Sequence, residues 1–371
     1  MRVAIVTGAI APYTHRLYEA FARTHTVDLT VLVCGRIEPQ RQWRVPPPEH
    51  YRLQVLSGLR RHVSYTRHVY FNPSVLTALA RLRPDTIVIE DFSPTMALAA
   101  AYARATGTPY GIKTDGHRGT DPGERSRIHH GMRRLLVPSA SFGICASEDS
   151  VALLEHWGLD AGRSVIVPIV TPWDAPDRVP AFTERRFDTL FAGALNEDIK
   201  GAGFFVDVVE AVVCRGLKPL VRVTGDGPLR AEMAARLARL GVTAQFDGPL
   251  QPPQMPDVYG SARLLLFPSR GDAWGLVANE AAFCGTPVIG SPQAISSQRL
   301  VERYNVGVVR PLDVGLWADA VMDMLSSEAQ WHGFTARRGE VIADFSLDAS
   351  VARLARALDA THDRAPPGRG P

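Results

Sequence analysis

The stretch SRGDAWGLVANEAAFCGTPVIGS, residues 269–291, lies between the apolar run ARLLLF (262–267) and the run PVIG (287–290). Leu276 to Cys284 have helical spacing and composition, and Gly285 with Pro287 ends them. Strand, turn, helix and strand in one short span form the repeating unit of a parallel sheet. Two carboxylates punctuate it, Asp272 near the expected helix N-cap and Glu280 about two turns inside. At ~1.5 Å per residue they would stand roughly 12 Å apart along the axis.

The same alternation runs through the chain. RVAIVT (2–7), VDLTVLVC (27–34), DTIVIE (85–90), PYGIK (109–113), FGICAS (142–147) and SVIVP (164–168) read as strands. THRLYEAFAR (14–23), SVLTALARL (74–82) and SEDSVALLEHWG (147–158) read as helices between them, the last with Ser147 as N-cap. The segment 170–186 breaks the rhythm with three prolines. A second series follows at 186–194, 218–225, 242–248, 262–269, 286–291 and 307–311, with the helical run 227–241 among them. The expected fold is therefore α/β, with two Rossmann-like, doubly wound parallel sheets and a ligand cleft between domains. Expected boundaries are 1–170 for a first domain, 171–186 for a linker and 187–345 for a second domain. Residues 346–360 form a C-terminal helix with the option of packing back on the first domain, and 361–371 a disordered tail.

Composition excludes several classes. The chain has 371 residues, 46% hydrophobic and 21% charged, the balance of an ordinary globular protein. Its apolar runs are too short to span a bilayer, and the N-terminal run is followed by no small-residue cleavage site. The expected location is cytoplasmic, with a peripheral position at the inner membrane surface as an option. Four scattered cysteines, Cys34, Cys145, Cys214 and Cys284, show no metal or redox spacing and read as small buried hydrophobes. Residues 1–180 carry 21 Lys/Arg against 16 Asp/Glu, too small an excess for a nucleic-acid partner. Part of it clusters as Arg60, Arg61, His62, Arg67 and His68, a patch suited to anionic lipid or an anionic acceptor, or simply a solvated loop or helix face. Only three of 41 basic residues are lysines, Lys113, Lys200 and Lys218.

The backbone N–H groups of Trp274, Gly275 and Leu276 stand at the positive end of the expected helix, ready for an anion. Gly275 would let a ligand approach the backbone. Hydroxyl-binding carboxylates flanking a phosphate site suit a nucleotide-sugar. The plain alternative makes Asp272 an N-cap and Glu280 an exposed helix charge.

PSRGDAWGLVANEAAFCGTPVIG resembles the donor-site segment of the retaining GT-B glycosyltransferases of family 4, in which two acidic residues are separated by seven positions. FAGALNEDIKG (191–201) is similar to that family's Gly-Arg-Leu…Lys-Gly turn, and VRVTGDGPLRAEM (221–233) to its Gly-Asp-Gly-Pro turn. Residues 242–269 resemble the strand, Gly turn and helix leading to the site, and IVTGAIAPYTHRLYEAF (5–21) an N-terminal segment of one branch. The resemblance implies that Asp272 contacts the donor sugar, Glu280 the ribose and Lys200 the leaving phosphates, with Gly193 in the same turn. It implies a retaining hexosyltransferase without a catalytic metal or cofactor, using a UDP-, GDP- or dTDP-sugar. The acceptor would be a saccharide, lipid-linked or natural-product molecule. Ala194 replaces the family's Arg, a cation that stabilises the leaving diphosphate, and Arg270 is a candidate substitute. In the first domain, KTDGHRG (113–119) follows a strand, so His117 or Asp115 can face acceptor or donor. Glu90 at another strand end and Gly8 after the first strand are further candidates. Two other readings stand beside transfer: a nucleotide-sugar-binding protein with little or no activity, motivated by Ala194, and a GT-B phosphorylase or epimerase. A dinucleotide-dependent dehydrogenase is disfavoured, because TGAIAP fails the Gly-x-Gly-x-x-Gly pattern and TGDGPL has only part of it.

Overall fold

The computed structural model describes residues 1–35, 43–64 and 67–359, with backbone only for 62–64, 67 and 68. The tail expected to be disordered lies outside the described residues. Two compact units form: Met1–Val170 together with the segment from Leu347, and Thr171–Ser346.

The first unit is built on the strands β1 (Arg2–Thr7), β2 (Asp28–Val33), β3 (Arg52–Val55), β6 (Thr86–Glu90), β7 (Tyr110–Thr114), β8 (Phe142–Cys145) and β9 (Ser164–Ile166), with β4 (Leu59–Ser64) and β5 (Arg67–Phe71) between β3 and β6. Seven strands form one parallel sheet in the order β3-β2-β1-β6-β7-β8-β9. Side chains alternate along β1: Val3 and Ile5 enter one apolar cluster, Ala4 and Val6 another, so both faces of the sheet are covered. The helix Leu347–Asp359 joins the first cluster through Val351, Leu354 and Leu358, beside Leu17 and Phe21 of the helix Pro12–Thr24.

The basic stretch 59–71 departs from its reading as a solvated loop or helix face. It is an antiparallel hairpin, β4 with β5, in which Leu59 faces Phe71 and Arg61 faces Val69. Alternating β-branched, aromatic and basic residues give the period of two that the charge cluster obscured.

The second unit holds β10 (Phe187–Ala192), β11 (Val221–Thr224), β12 (Ala244–Gly248), β13 (Ala262–Phe267), β14 (Val288–Gly290) and β15 (Gly307–Val309), in the order β12-β11-β10-β13-β14-β15. All pairs are parallel. Leu264, Leu266, Ile289, Val223 and Phe191 pack on one face with Phe205, Val209 and Trp317, while Leu190, Leu265 and Val288 are fully buried beside them in sequence. In each sheet the winding reverses once, between β1 and β6 and between β10 and β13, and carboxyl ends at such reversals are where α/β sheets bind ligands.

Candidate functional site

The reversal in the second unit brings two turns together. After β10 the Asn196 Oδ1 accepts the backbone N–H groups of Ile199 (3.2 Å) and Lys200 (3.1 Å), a local turn that fixes the Lys200 backbone. After β13 the Arg270 N–H donates to Ile199 O at 2.7 Å, tying the two turns side by side. Lys200 Nζ then lies 2.6 and 2.7 Å from the two carboxylate oxygens of Asp272. The buried Ser269 hydroxyl lies 2.9 Å from Asp272 Oδ2 and accepts the Asp272 N–H at 3.2 Å. Asp272 is therefore no helix cap: the helix is Val277–Phe283, and its N-cap position is Leu276. The two carboxylates expected along one helix axis are instead a turn carboxylate and a helix carboxylate with separate supports.

A third turn closes on the first. Leu195 N–H donates to Asp226 O (2.9 Å), and Leu229 N–H donates back to Leu195 O (3.0 Å). Gly225 has φ +127, and a Cβ there would stand 1.9 Å from Gly193 O. Only glycine lets these backbones touch. Ala194 sits half-buried inside this clamp.

Glu280 is buried, and Tyr259 Oη donates to its Oε2 at 2.6 Å. Burial pushes its carboxyl up to about 7, against the opposing pull of the Tyr259 hydrogen bond. Two residues expected at the ligand are also tied to the packing of the unit. The Trp274 indole is buried, donates to Asn279 Oδ1 at 2.8 Å and lies 5.7 Å from the Phe345 ring. A Cβ on Gly275 would meet Phe267 Cζ at 2.5 Å, so packing alone already requires glycine there. Leu276 is half-buried at the helix start. Arg270 is engaged elsewhere: its Nε donates to Glu197 Oε1 at 3.0 Å in an exposed ion pair.

The reversal in the first unit is more crowded. Glu90 Oε1 accepts from Lys113 Nζ at 2.8 Å and from the Tyr18 hydroxyl. Burial alone would raise the Glu90 carboxyl, but Lys113, Tyr18 and Thr7 outweigh it and leave the group below its ordinary value. For Lys113 burial pulls down and Glu90 pulls up more, so the ammonium is strengthened. Glu90 is thus occupied within the fold. Gly8 faces protein: a Cβ there would lie 3.0 Å from Tyr70 Cε2. The next residue after β6, Asp91, has φ +84, a left-handed conformation rare outside glycine. His117 sits in a tight turn, its Nδ1 accepting the Gly119 N–H (3.2 Å) and its carbonyl accepting Thr120 and Asp121 N–H groups. Asp115 is exposed on the strand side of that turn.

Sequence reasoning missed Ser269, Asn196, Tyr259 and Tyr18. Each supports a candidate through one or two hydrogen bonds, and none has a motif of its own. Lys113 carried the signal of lysine scarcity alone. Cys214 is exposed, unlike the other three cysteines. Among the described residues no three His, Cys, Asp or Glu side chains are grouped to hold a metal ion, and no helix is long and apolar enough to cross a membrane.

Two family models divide the chain as its two sheets do. The model described as Glycosyl transferases group 1 matches residues 186–327, and that described as Glycosyl transferase 4-like domain matches 8–169. The chain belongs to the GT-B glycosyltransferases of family 4. Among curated members it is 26% identical to D-inositol 3-phosphate glycosyltransferase of Rhodococcus jostii over 248 residues, 59% of this chain and 52% of that enzyme. The chain thus spans about half the length of the curated relatives it matches. Among solved structures, Anabaena Alr3699/HepE in complex with UDP and glucose superposes with a TM-score of 0.74 at 15% identity, covering 97% of this chain and 100% of that one. Sucrose-phosphate synthase from Thermosynechococcus elongatus gives 0.72 at 17%, covering 98% and 99%. At such identity the superpositions establish the GT-B fold alone.

Proposed function

We propose that this GT-B chain transfers a hexose-type sugar from a nucleotide-sugar to an acceptor hydroxyl with retention of configuration. The observation that carries the reading is the Lys200–Asp272 pair, 2.6 Å apart where the second sheet reverses. Lys200 would take the diphosphate, Asp272 the sugar hydroxyls and Glu280 the ribose hydroxyls. In the reaction the bond from the sugar's anomeric carbon to the diphosphate oxygen breaks, and the electron pair leaves on that oxygen. The acceptor oxygen bonds to the same carbon from the same face, and its proton passes to the departing phosphate. Lys200 stabilises the charge that develops there. Retention, same-face attack and a reaction needing no metal rest on the family resemblance. His117 or Asp115 is proposed for the acceptor side, with a saccharide, lipid-linked or natural-product acceptor. Peripheral contact with the inner membrane surface is proposed through the 60–68 cluster, because Leu59, Arg61, Val69 and Phe71 share an exposed face of the hairpin.

One observation favours a second reading, nucleotide-sugar binding with weak or no transfer. Ala194 supplies no cation, and Arg270 is paired with Glu197 rather than free to replace it. Thermal-shift measurement with UDP-, GDP- and dTDP-sugars tests the donor site, and product analysis with the stabilising donor separates the two readings. Stabilisation by at least one donor, lost in Lys200→Ala, is expected. No response to any of them would remove the donor site from consideration.

A further inference from the structure

The helix Arg127–Leu136 (RIHHGMRRLL) carries a surface that neither the donor site nor the 59–71 hairpin uses. Its inner side is locked. Arg133 is buried and donates from Nε to Asp121 Oδ1 at 2.9 Å, the Trp157 indole donates to Asp121 Oδ2 at 2.9 Å, and Leu136 and Met132 pack on the apolar cluster. With that side fixed, the helical period dictates what looks outward. Arg127, Ile128, Gly131, Arg134 and Leu135 share one face, and all are exposed, Ile128 to 79% and Leu135 to 52%.

Single exposed apolar side chains are ordinary, but here two lie one above the other across two turns. They are bracketed by arginines, the helix holds no acidic residue, and among the described residues neither Arg127 nor Arg134 has an ion-pair partner. The inward turn of the same helix puts its one buried arginine against a carboxylate, while the outward arginines stand beside leucine and isoleucine. A nucleic-acid backbone would use the arginines and leave the apolar pair in water. An interfacial helix uses both: arginines meet lipid phosphates while apolar side chains enter the headgroup layer.

We propose that the outward face of the helix Arg127–Leu136 docks on an anionic lipid surface, with Ile128 and Leu135 inserted and Arg127 and Arg134 on phosphates. The inference is independent of the donor-site reading, and it concerns a different element from the hairpin contact proposed above. The binding is weak and reversible, because ten residues offer only two inserting side chains.

The test is vesicle co-sedimentation of the full chain. Vesicles of phosphatidylcholine with phosphatidylglycerol are compared with pure phosphatidylcholine at low and high salt. Expected is binding to the mixed vesicles that falls at high salt. Replacing both arginines (Arg127→Gln with Arg134→Gln) should lower it about tenfold or more, and Ile128→Gln with Leu135→Gln should lower it comparably. These exposed positions should leave the circular dichroism spectrum and melting midpoint unchanged, so lost binding would not report misfolding. A hairpin variant, Leu59→Gln with Phe71→Gln, assigns the surface: loss in that variant alone would overturn the helix proposal. Equal binding to both vesicle types, or none, would overturn it too. Sensitivity to the arginines without sensitivity to Ile128 and Leu135 would point to an acidic macromolecule and also reject the lipid surface.

Discussion

Each of the two parallel sheets ends in a lysine–carboxylate pair at its reversal point, and the two pairs are almost equally shielded. Side-chain exposure is 23% and 16% for Lys113 and Glu90, and 24% and 17% for Lys200 and Asp272. Their mounting differs. Glu90 and Lys113 are register partners on adjacent strands, with the ammonium 5.5 Å from the Tyr18 ring centroid. Lys200 and Asp272 are 72 positions apart on two turns, joined by side chains and a few turn hydrogen bonds. A pair whose backbones are sheet-bound, with the ammonium also held against Tyr18, has little freedom to part. A pair on turns is better placed to exchange its partner for a ligand, which supports the proposal of Lys200–Asp272 as the working pair and of Lys113–Glu90 as architecture.

The largest expected effect lies in catalysis. Lys200→Ala should reduce transfer ~100-fold or more, since a cation at a leaving diphosphate contributes several kcal/mol, whereas Lys113→Met should leave the rate of the folded fraction within a fewfold. Rates normalised to folded protein check this, and a comparable loss in both variants would erase the distinction drawn above. Next comes stability. Removing one member of the sheet-bound pair, as in Lys113→Met, leaves a buried charge and should cost about 3 kcal/mol in denaturant unfolding. Lys200→Met should cost about 1 kcal/mol, because Asp272 on its turn can reach water.

Asp272→Asn sharpens the comparison differently. Without the carboxylate, Lys200 has no protein partner to give up, and a spent nucleoside diphosphate meets less repulsion than before. Affinity for the diphosphate relative to the nucleotide-sugar should rise, by roughly tenfold if ~1.4 kcal/mol is released. Titration calorimetry with both ligands reads the ratio.

Acid and base responses of the two units should run in opposite directions. Glu90 is held below its ordinary carboxylate value, so its stabilisation is present above that value and lost as pH falls through the lower folded value. Glu280 is raised to about 7, so its unfavourable ionisation grows as pH rises from 4.5 to about 7. Glu280→Gln should therefore raise the unfolding free energy relative to wild type at pH above about 7, by on the order of 3 kcal/mol, with less gain in mild acid. Glu90→Gln should do the reverse, losing most above the carboxylate range. The smallest effect is expected at Arg270: its exposed pairing with Glu197 makes Arg270→Ala nearly neutral, within about threefold in rate.

Strand positions were legible because buried parallel strands are short apolar runs, and of the fifteen strands among the described residues twelve overlap the segments read from sequence. The three missed, β3 to β5, are exposed or basic, and their polar side chains hide the period of two. Asp272, Lys200 and Glu280 were singled out by their spacing, by lysine scarcity and by the family resemblance, and their roles stand as proposals. What was not legible depended on contacts between distant segments. The Tyr259 bond to Glu280, the packing need behind Gly275 and the burial of Trp274 all come from neighbours that sequence spacing does not reveal. The hairpin and the Arg127–Leu136 helix show the same limit, since a charge count does not say which face looks outward.

The clamp around residues 193–195 has a consequence for how this site can change. Gly225 presses on the backbone of Gly193, and residue 195 is hydrogen-bonded on both sides, so the turn between them is a fixed mount with a replaceable tool. Ala194 is that tool. Ala194→Arg would offer a cation at this point while leaving the flanking backbone contacts in place, and a faster transfer rate in that variant is the expected result.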